Sequence, residues 1–295
     1  MAGRIVIAGA SGFIGSALIG HFSDCEVVAL NRKPDSQPGA RVATWDGPWQ
    51  QEVNGAEAVI NLAGAPITLK WNERNRKKIL DSRVETTRKI GEAVRQSKDP
   101  PRVWVNGSAV GYYGDRAEWI LTEASPAGSG FLADVCKAWE AAAEAVETPR
   151  TRRVLMRTGV VLGRGGGSFE VFRRLMQAHI GAAGDGGEWM PWIHLDDLCR
   201  MIRWCIQSDV ISGAINGSSR WPCRHSELMV ALCGAMGASW YYPVPRFAVL
   251  GMGKLFGPDP ELLLSSQRAV PQKALDHGFE WSFPRLYDAL EDLLS

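Results

Sequence analysis

Three glycines spaced three apart, Gly9-Ala-Ser-Gly12-Phe-Ile-Gly15, stand between an apolar β-branched run and an apolar stretch of helical period. That setting, a strand turning sharply into a helix, is what a diphosphate-binding turn needs. Gly9 permits the tight turn, Gly12 lets the backbone approach a pyrophosphate, and Gly15 lets the helix pack closely on the strand. The first amides of the helix then offer unpaired N–H groups and a partial positive charge to an anion. The expected cofactor contacts of this turn are Gly9, Ser11, Gly12, Phe13, Ile14 and Gly15.

The end of the second apolar run decides which dinucleotide is expected. An NAD site carries Asp or Glu there to bond the ribose 2′-hydroxyl. This chain reads Val28-Ala-Leu-Asn31-Arg32-Lys33, with no carboxylate at that spot. Arg32 and Lys33 are placed instead for a 2′-phosphate, which a guanidinium can grip with two parallel hydrogen bonds. The expected cofactor is NADP(H). The run Gly163-Arg-Gly-Gly-Gly167-Ser168 is not a P-loop, because no Gly-Lys-Ser/Thr follows. It reads either as an anion-accepting loop at the pocket mouth, with Arg164 supplying charge, or as a simple connection.

The elements that must position these residues follow from periodicity. Strands are expected at Ile5–Ala8, Glu26–Leu30, Ala58–Leu62, Val103–Val105 and Val154–Leu162. Helices are expected at Ile14–Phe22, from about Asn72 to Gln96, and at Phe131–Val146. Buried strands alternating with helices give an α/β fold, a Rossmann-type doubly wound parallel sheet. Beyond about residue 163 glycines and prolines cluster and the pattern loosens. This portion reads as a smaller C-terminal substrate-side lobe. The expected division is residues 1–163 for the nucleotide-binding core, with returning segments at about 190–220, and 164–295 mainly for the lobe.

Composition narrows the partners. A net charge of +1 gives no footprint for nucleic acid or an anionic membrane. No apolar run approaches the ~18 residues that span a bilayer. Six scattered cysteines form no CxxC pair, so no metal site is expected and a reducing, cytoplasmic setting is. The expected partner is a small-molecule substrate, and the expected state a monomer or homodimer. Of the 12 tryptophans, Trp189, Trp192, Trp221 and Trp240 fall in the substrate half, as pocket lining or as core.

Several segments in fixed order resemble one branch of the atypical extended short-chain dehydrogenase/reductases. These are the epimerase family proteins, described as nucleoside-diphosphate-sugar epimerases. The segments are Gly9–Gly15, Asn31-Arg-Lys33, Asn61-Leu-Ala-Gly64, Ser82-Arg-Val-Glu-Thr-Thr87, Ser108-Ala-Val-Gly-Tyr-Tyr-Gly114, Trp139-Glu-Ala-Ala142, Arg157-Thr-Gly-Val-Val-Leu-Gly163 and Pro191-Trp-Ile-His-Leu-Asp-Asp197. The end, Ser266–Leu294, resembles that group's C-terminal domain of unknown function.

The resemblance implies an NADP(H) site to which Leu62, Ala63 and Gly64 contribute beside the ribose and phosphates. Arg83 would point a cation toward the cofactor, or lie on the helix surface. Val161 would pack near the nicotinamide, or be ordinary core. Working members of this superfamily use a Tyr-x-x-x-Lys helix and a strand-end Ser or Thr, the tyrosine serving as acid/base. Here Lys137 is present, as a candidate cofactor-ribose ligand, but Ala133 stands four residues before it. Ser108 holds the strand-end position. Tyr112 and Tyr113 are the candidate surrogate acids, with His194 behind them as a residue usually structural in the family. The implied activity is that of an oxidoreductase or epimerase; the alternative is a non-catalytic NADP(H)-binding module.

Overall fold

The run Ile5-Val-Ile-Ala8 is apolar on both faces, as befits a strand covered by helices on either side. In the computed structural model, which describes residues 3–255 and 259–295, it lies inside a seven-stranded parallel sheet. The strands are β1 (Arg4–Ala8), β2 (Glu26–Asn31), β3 (Arg41–Thr44), β4 (Ala58–Asn61), β5 (Val103–Ala109), β6 (Arg152–Thr158) and β7 (Gly213–Gly217). Their order across the sheet is β7-β6-β5-β4-β1-β2-β3. Ile7 sits opposite Ala29 on one side and Ile60 on the other. The chain winds outward from β1 in one direction and from β4 in the other. A ligand crevice opens at such a reversal, outside the carboxyl ends of the strands.

Helices cover both faces. On one, the helices Phe13–His21 and Leu195–Gln207 bury Leu18, Leu198, Met201 and Ile202 against Ile5 and Ile7. On the other, Ile90 and Val94 of the helix Glu73–Gln96 pack with Trp104, Val6 and Val59. Asn72 caps that helix by accepting the amide of Asn75 at 2.9 Å.

A second hydrophobic cluster forms beyond the sheet. Phe169, Phe172 and Met176 meet Leu228, Met229 and Leu232, with Leu290 and Leu293 closing the cluster against Leu162 and Trp192. No helix among the described residues is long and apolar enough to cross a membrane.

Two departures from the periodicity have physical causes. The run Val154–Leu162 is not one strand but two, broken at Gly159, where a Cβ would lie 2.4 Å from the Pro191 carbonyl oxygen. The second piece, Val160–Leu162, leaves the main sheet and pairs with Trp192–His194. The edge strand β3 is short and only partly buried, so it carries no clear alternation.

Candidate functional site: a dinucleotide crevice

The phosphate turn leaves β1 at Gly9, whose φ is +83° and whose Cβ would lie 2.9 Å from the Ala63 nitrogen. At Gly15 a Cβ would lie 2.2 Å from the Gly9 carbonyl oxygen. Both positions exclude side chains for reasons internal to the fold. Gly12 differs: its Cβ would meet only the Gly9 oxygen, at 3.2 Å. The first helical bond runs from the Ser16 amide to the Gly12 carbonyl at 2.8 Å. The amides of Phe13, Ile14 and Gly15 therefore have no partner within the helix, and no acidic residue occupies its first turn.

At the end of β2, Asn31 is buried and its Oδ1 has no hydrogen-bond partner. Arg32 and Lys33 are exposed and form no ion pair or side-chain hydrogen bond among the described residues. Glu26, at the opposite end of the strand, is already held by Arg4 at 3.1 Å and Arg41 at 3.0 Å.

At the end of β4, Asn61 fixes the turn Leu62-Ala63-Gly64. Its Nδ2 donates to Asn106 Oδ1 at 2.8 Å and Thr87 Oγ1 at 3.0 Å, and its Oδ1 accepts the Ala63 amide at 3.2 Å. A Cβ on Gly64 would lie 3.0 Å from the Arg83 guanidinium carbon. Arg83 donates to the carbonyls of Ala65 and Ile79, each at 3.0 Å, and lies over the Trp139 ring. Burial pushes its pKa down, and it has no carboxylate partner among the described residues. A desolvated cation without a counter-charge suits an anionic ligand.

At the end of β5, Ser108 donates to Glu140 Oε1 at 2.5 Å. Arg157 grips the same carboxylate through Nε at 2.9 Å and Nη2 at 2.8 Å. This buried ion pair anchors Ser108 from within the core, and the pairing is not among the sequence expectations. Glu140 and Arg157 both lie in segments that carry the family resemblance, but no charge pattern links a helix residue to a strand residue 17 positions away.

The acid/base candidates separate. Tyr113 is fully buried, donates to Asn216 Oδ1 at 2.7 Å and accepts from Arg157. Desolvation pushes its phenol up to about 12. These contacts tie it into the buried network with Arg157 and Asn216. Tyr112 is half-buried, with the Arg157 guanidinium carbon 3.5 Å from its ring centre. Its hydroxyl has no hydrogen-bond partner among the described residues.

Lys137 lies on the same helix as Glu140. The helix Phe131–Glu144 buries Ala133, Cys136, Trp139, Glu140 and Ala143. Lys137 borders that buried stripe, on the exposed side with Asp134 and Glu144, its Nζ 2.7 Å from Asp134 Oδ1. The residues four apart that face the turn after β5 are Leu132 and Cys136, 3.2 and 3.8 Å from a Cβ built on Gly111. Burial holds the Cys136 thiol neutral, its pKa pushed up to about 12. Neither stripe supplies a tyrosine.

The remaining candidates spread out. Val161 is buried in the main core with Ile193. His194 caps the helix Leu195–Gln207, its Nδ1 accepting the Asp196 amide at 3.2 Å. Trp192 is fully buried and Trp221 exposed, while Trp240 stacks on His179 at 4.1 Å. Trp189 lies between Arg224 and Arg268. Trp192 and Trp221 line one cleft of about 450 Å³ with Pro222 and Tyr287, and Trp189 and Trp240 lie outside it. Arg164 does reach the phosphate turn: a cleft of about 480 Å³ is lined by Ser11, Gly12, Phe13, Ser16, Arg164 and Leu195.

The open cradle at Gly12, the orphaned Asn31 oxygen and the unpaired cations Arg32, Lys33 and Arg83 fit an adenine dinucleotide carrying a 2′-phosphate. Comparison with known proteins agrees. Residues 5–216 match the NAD dependent epimerase/dehydratase family, and residues 244–293 match a domain of unknown function, DUF1731. The human epimerase family protein SDR39U1 is 33% identical over 99% of this chain and 100% of its own length. The crystal structure of human SDR39U1 (isoform2) with NADPH superposes with a TM-score of 0.90 at 32% identity, covering 98% of each chain. The crystal structure of the nucleoside-diphosphate sugar epimerase from Corynebacterium glutamicum gives a TM-score of 0.81 at 30% identity, covering 100% of this chain and 58% of that one. The chain belongs to the NAD dependent epimerase/dehydratase family.

Proposed function

We propose that this protein binds NADP(H) across the carboxyl ends of β1, β2 and β4, and acts as an oxidoreductase or epimerase on a small carbonyl or sugar-type substrate. The observation that carries the cofactor choice is the pair of unpartnered cations Arg32 and Lys33 where an NAD site needs a carboxylate. The NADPH bound by the human relative supports it. The amides of Phe13, Ile14 and Gly15 receive the diphosphate, and Arg83 adds a desolvated positive charge beside Gly64.

The bound nicotinamide supplies or accepts the hydride. Ser108 has committed its proton to Glu140, so its oxygen presents lone pairs and accepts a hydrogen bond from a substrate hydroxyl. The Tyr112 phenol, with its unpaired hydroxyl, serves as the proton donor. Incubation with deuterium-labelled NADPH and a panel of carbonyl compounds tests this reading. Label in a product, lost in Tyr112→Phe, is expected; label transfer unaffected by that substitution removes Tyr112 from the mechanism.

A second reading, a non-catalytic NADP(H)-binding sensor, is favoured by one observation. Leu132, Ala133 and Cys136 occupy the inward face where the superfamily keeps its acid/base, and none has a proton to exchange at neutral pH. Tight NADPH binding with neither label transfer to a carbonyl compound nor epimerisation of a sugar-type compound selects this reading. The six unpaired cysteines support a cytoplasmic setting, and the near-zero net charge supports a small-molecule partner in place of nucleic acid or membrane.

A further inference from the structure

We propose that Arg164 is a ligand of the cofactor diphosphate, and that Asp292, in the C-terminal helix, is the competing partner that holds it when the diphosphate is absent. The proposal rests on the NADP(H) reading above and gives the DUF1731 region a task at the same site.

The loop that carries Arg164 is built against the phosphate turn. A Cβ on Gly163, Gly166 or Gly167 would lie 2.8, 2.8 or 2.6 Å from ring atoms of Phe13, the first helical residue of that turn. These glycines let the backbone lie directly on the Phe13 ring, which brings Arg164 to the wall of the cleft with Ser11, Gly12 and Ser16. Gly165 has a φ of +77° with nothing within 4 Å of its Cβ position. Arg164 therefore stands between the packed Gly163 and the unencumbered Gly165, whose backbone freedom lets the loop tip adjust.

Its present contacts use one nitrogen. Nη2 donates to the Asp292 carbonyl and, at 2.9 Å, to Ser295 Oγ, with Asp292 Oδ2 at 3.6 Å. Nε and Nη1 have no partner among the described residues, and the side chain is 54% exposed. An exposed pair of this kind contributes little on its own. A diphosphate offers the same guanidinium two parallel charge-assisted bonds. Arg164 cannot serve both partners fully, so cofactor binding releases the Asp292–Ser295 end of the helix Leu286–Leu294.

Calorimetry with two ligands tests this. NADPH carries both the diphosphate and the 2′-phosphate; adenosine 2′-monophosphate lacks the diphosphate. Arg164→Ala is expected to weaken NADPH by about tenfold, about 1.4 kcal/mol, and to leave adenosine 2′-monophosphate unchanged. Asp292→Asn, which removes the competing charge, is expected to tighten NADPH. Amide exchange at 292–295 is expected to quicken when NADPH binds the wild type, and not in Arg164→Ala. Equal NADPH affinity in wild type and Arg164→Ala overturns the proposal, as does a parallel loss of adenosine 2′-monophosphate. If the wild type binds neither ligand, the NADP(H) reading falls, and this proposal with it.

Discussion

Arg157 and Glu140 face each other in the core beneath Ser108, joined by two nearly parallel hydrogen bonds of 2.9 and 2.8 Å between side chains only 5% and 6% exposed. Removing one member strands the other as an uncompensated buried charge. Arg157→Met is therefore expected to cost about 3–5 kcal/mol, read as a shift in the urea midpoint. The double exchange Arg157→Met with Glu140→Leu is expected to recover much of that loss. If the single change costs under about 1 kcal/mol, water reaches the pair and it is not the dry anchor of Ser108.

The two buried imidazoles set an acid limit. Burial pushes His194 and His225 below the ordinary 6.5. Below that pH the unfolded chain binds protons that the folded chain refuses. Their contribution is thus fully present above about pH 6.5 and is lost as pH falls through the folded values. Thermal melts from neutral pH downward should show stability falling more steeply in wild type than in His225→Phe. Parallel curves would mean that His225 is not held neutral by its surroundings.

The phosphate turn makes two opposite demands on its glycines. Gly15→Ala puts a methyl 2.2 Å from the Gly9 oxygen, so it should both lower the melting temperature and abolish NADPH binding. Gly12→Asp meets little protein and should leave the melting temperature near wild type. It should nonetheless abolish binding, by placing a carboxylate in the diphosphate space. Circular dichroism melts with calorimetry separate the two, and NADPH binding by Gly12→Asp would put the diphosphate elsewhere.

Lys137 tests the reading of its helix. Its pair with Asp134 is exposed and worth at most about 1 kcal/mol. Lys137→Ala should leave NADPH affinity within about twofold of wild type. A tenfold loss, about 1.4 kcal/mol, would return Lys137 to the cofactor ribose.

How far the sequence was legible depends on the range of the interaction. The strands at Ile5, Glu26 and Ala58, the glycine turn and the Asn72 helix start all rest on local signals, and the structure places them within a residue or two of the expected bounds. Ser108 was legible as a strand-end hydroxyl, but its partner Glu140 was not, because that contact joins a strand to a helix 32 residues later. Lys137 matched the family's spacing, and its pair with Asp134 on the same helix was not legible from that match. The irregular lobe hid most. Pairings such as Trp189–Met190 with Cys223–Arg224 are two residues long, too short to leave a period. The loop at Gly163, on sequence either an anion-accepting loop or a simple connection, carries no sign that it lies on Phe13.

The central claim is that Arg32 and Lys33 select the 2′-phosphate. Paired calorimetric titrations with NADPH and NADH, on wild type and on Arg32→Ala, test it most directly. The structure predicts that wild type binds NADPH much more tightly than NADH, and that Arg32→Ala erases most of the preference while leaving NADH affinity nearly unchanged. Equal affinity for both cofactors in wild type, or a preference that survives the substitution, would contradict it.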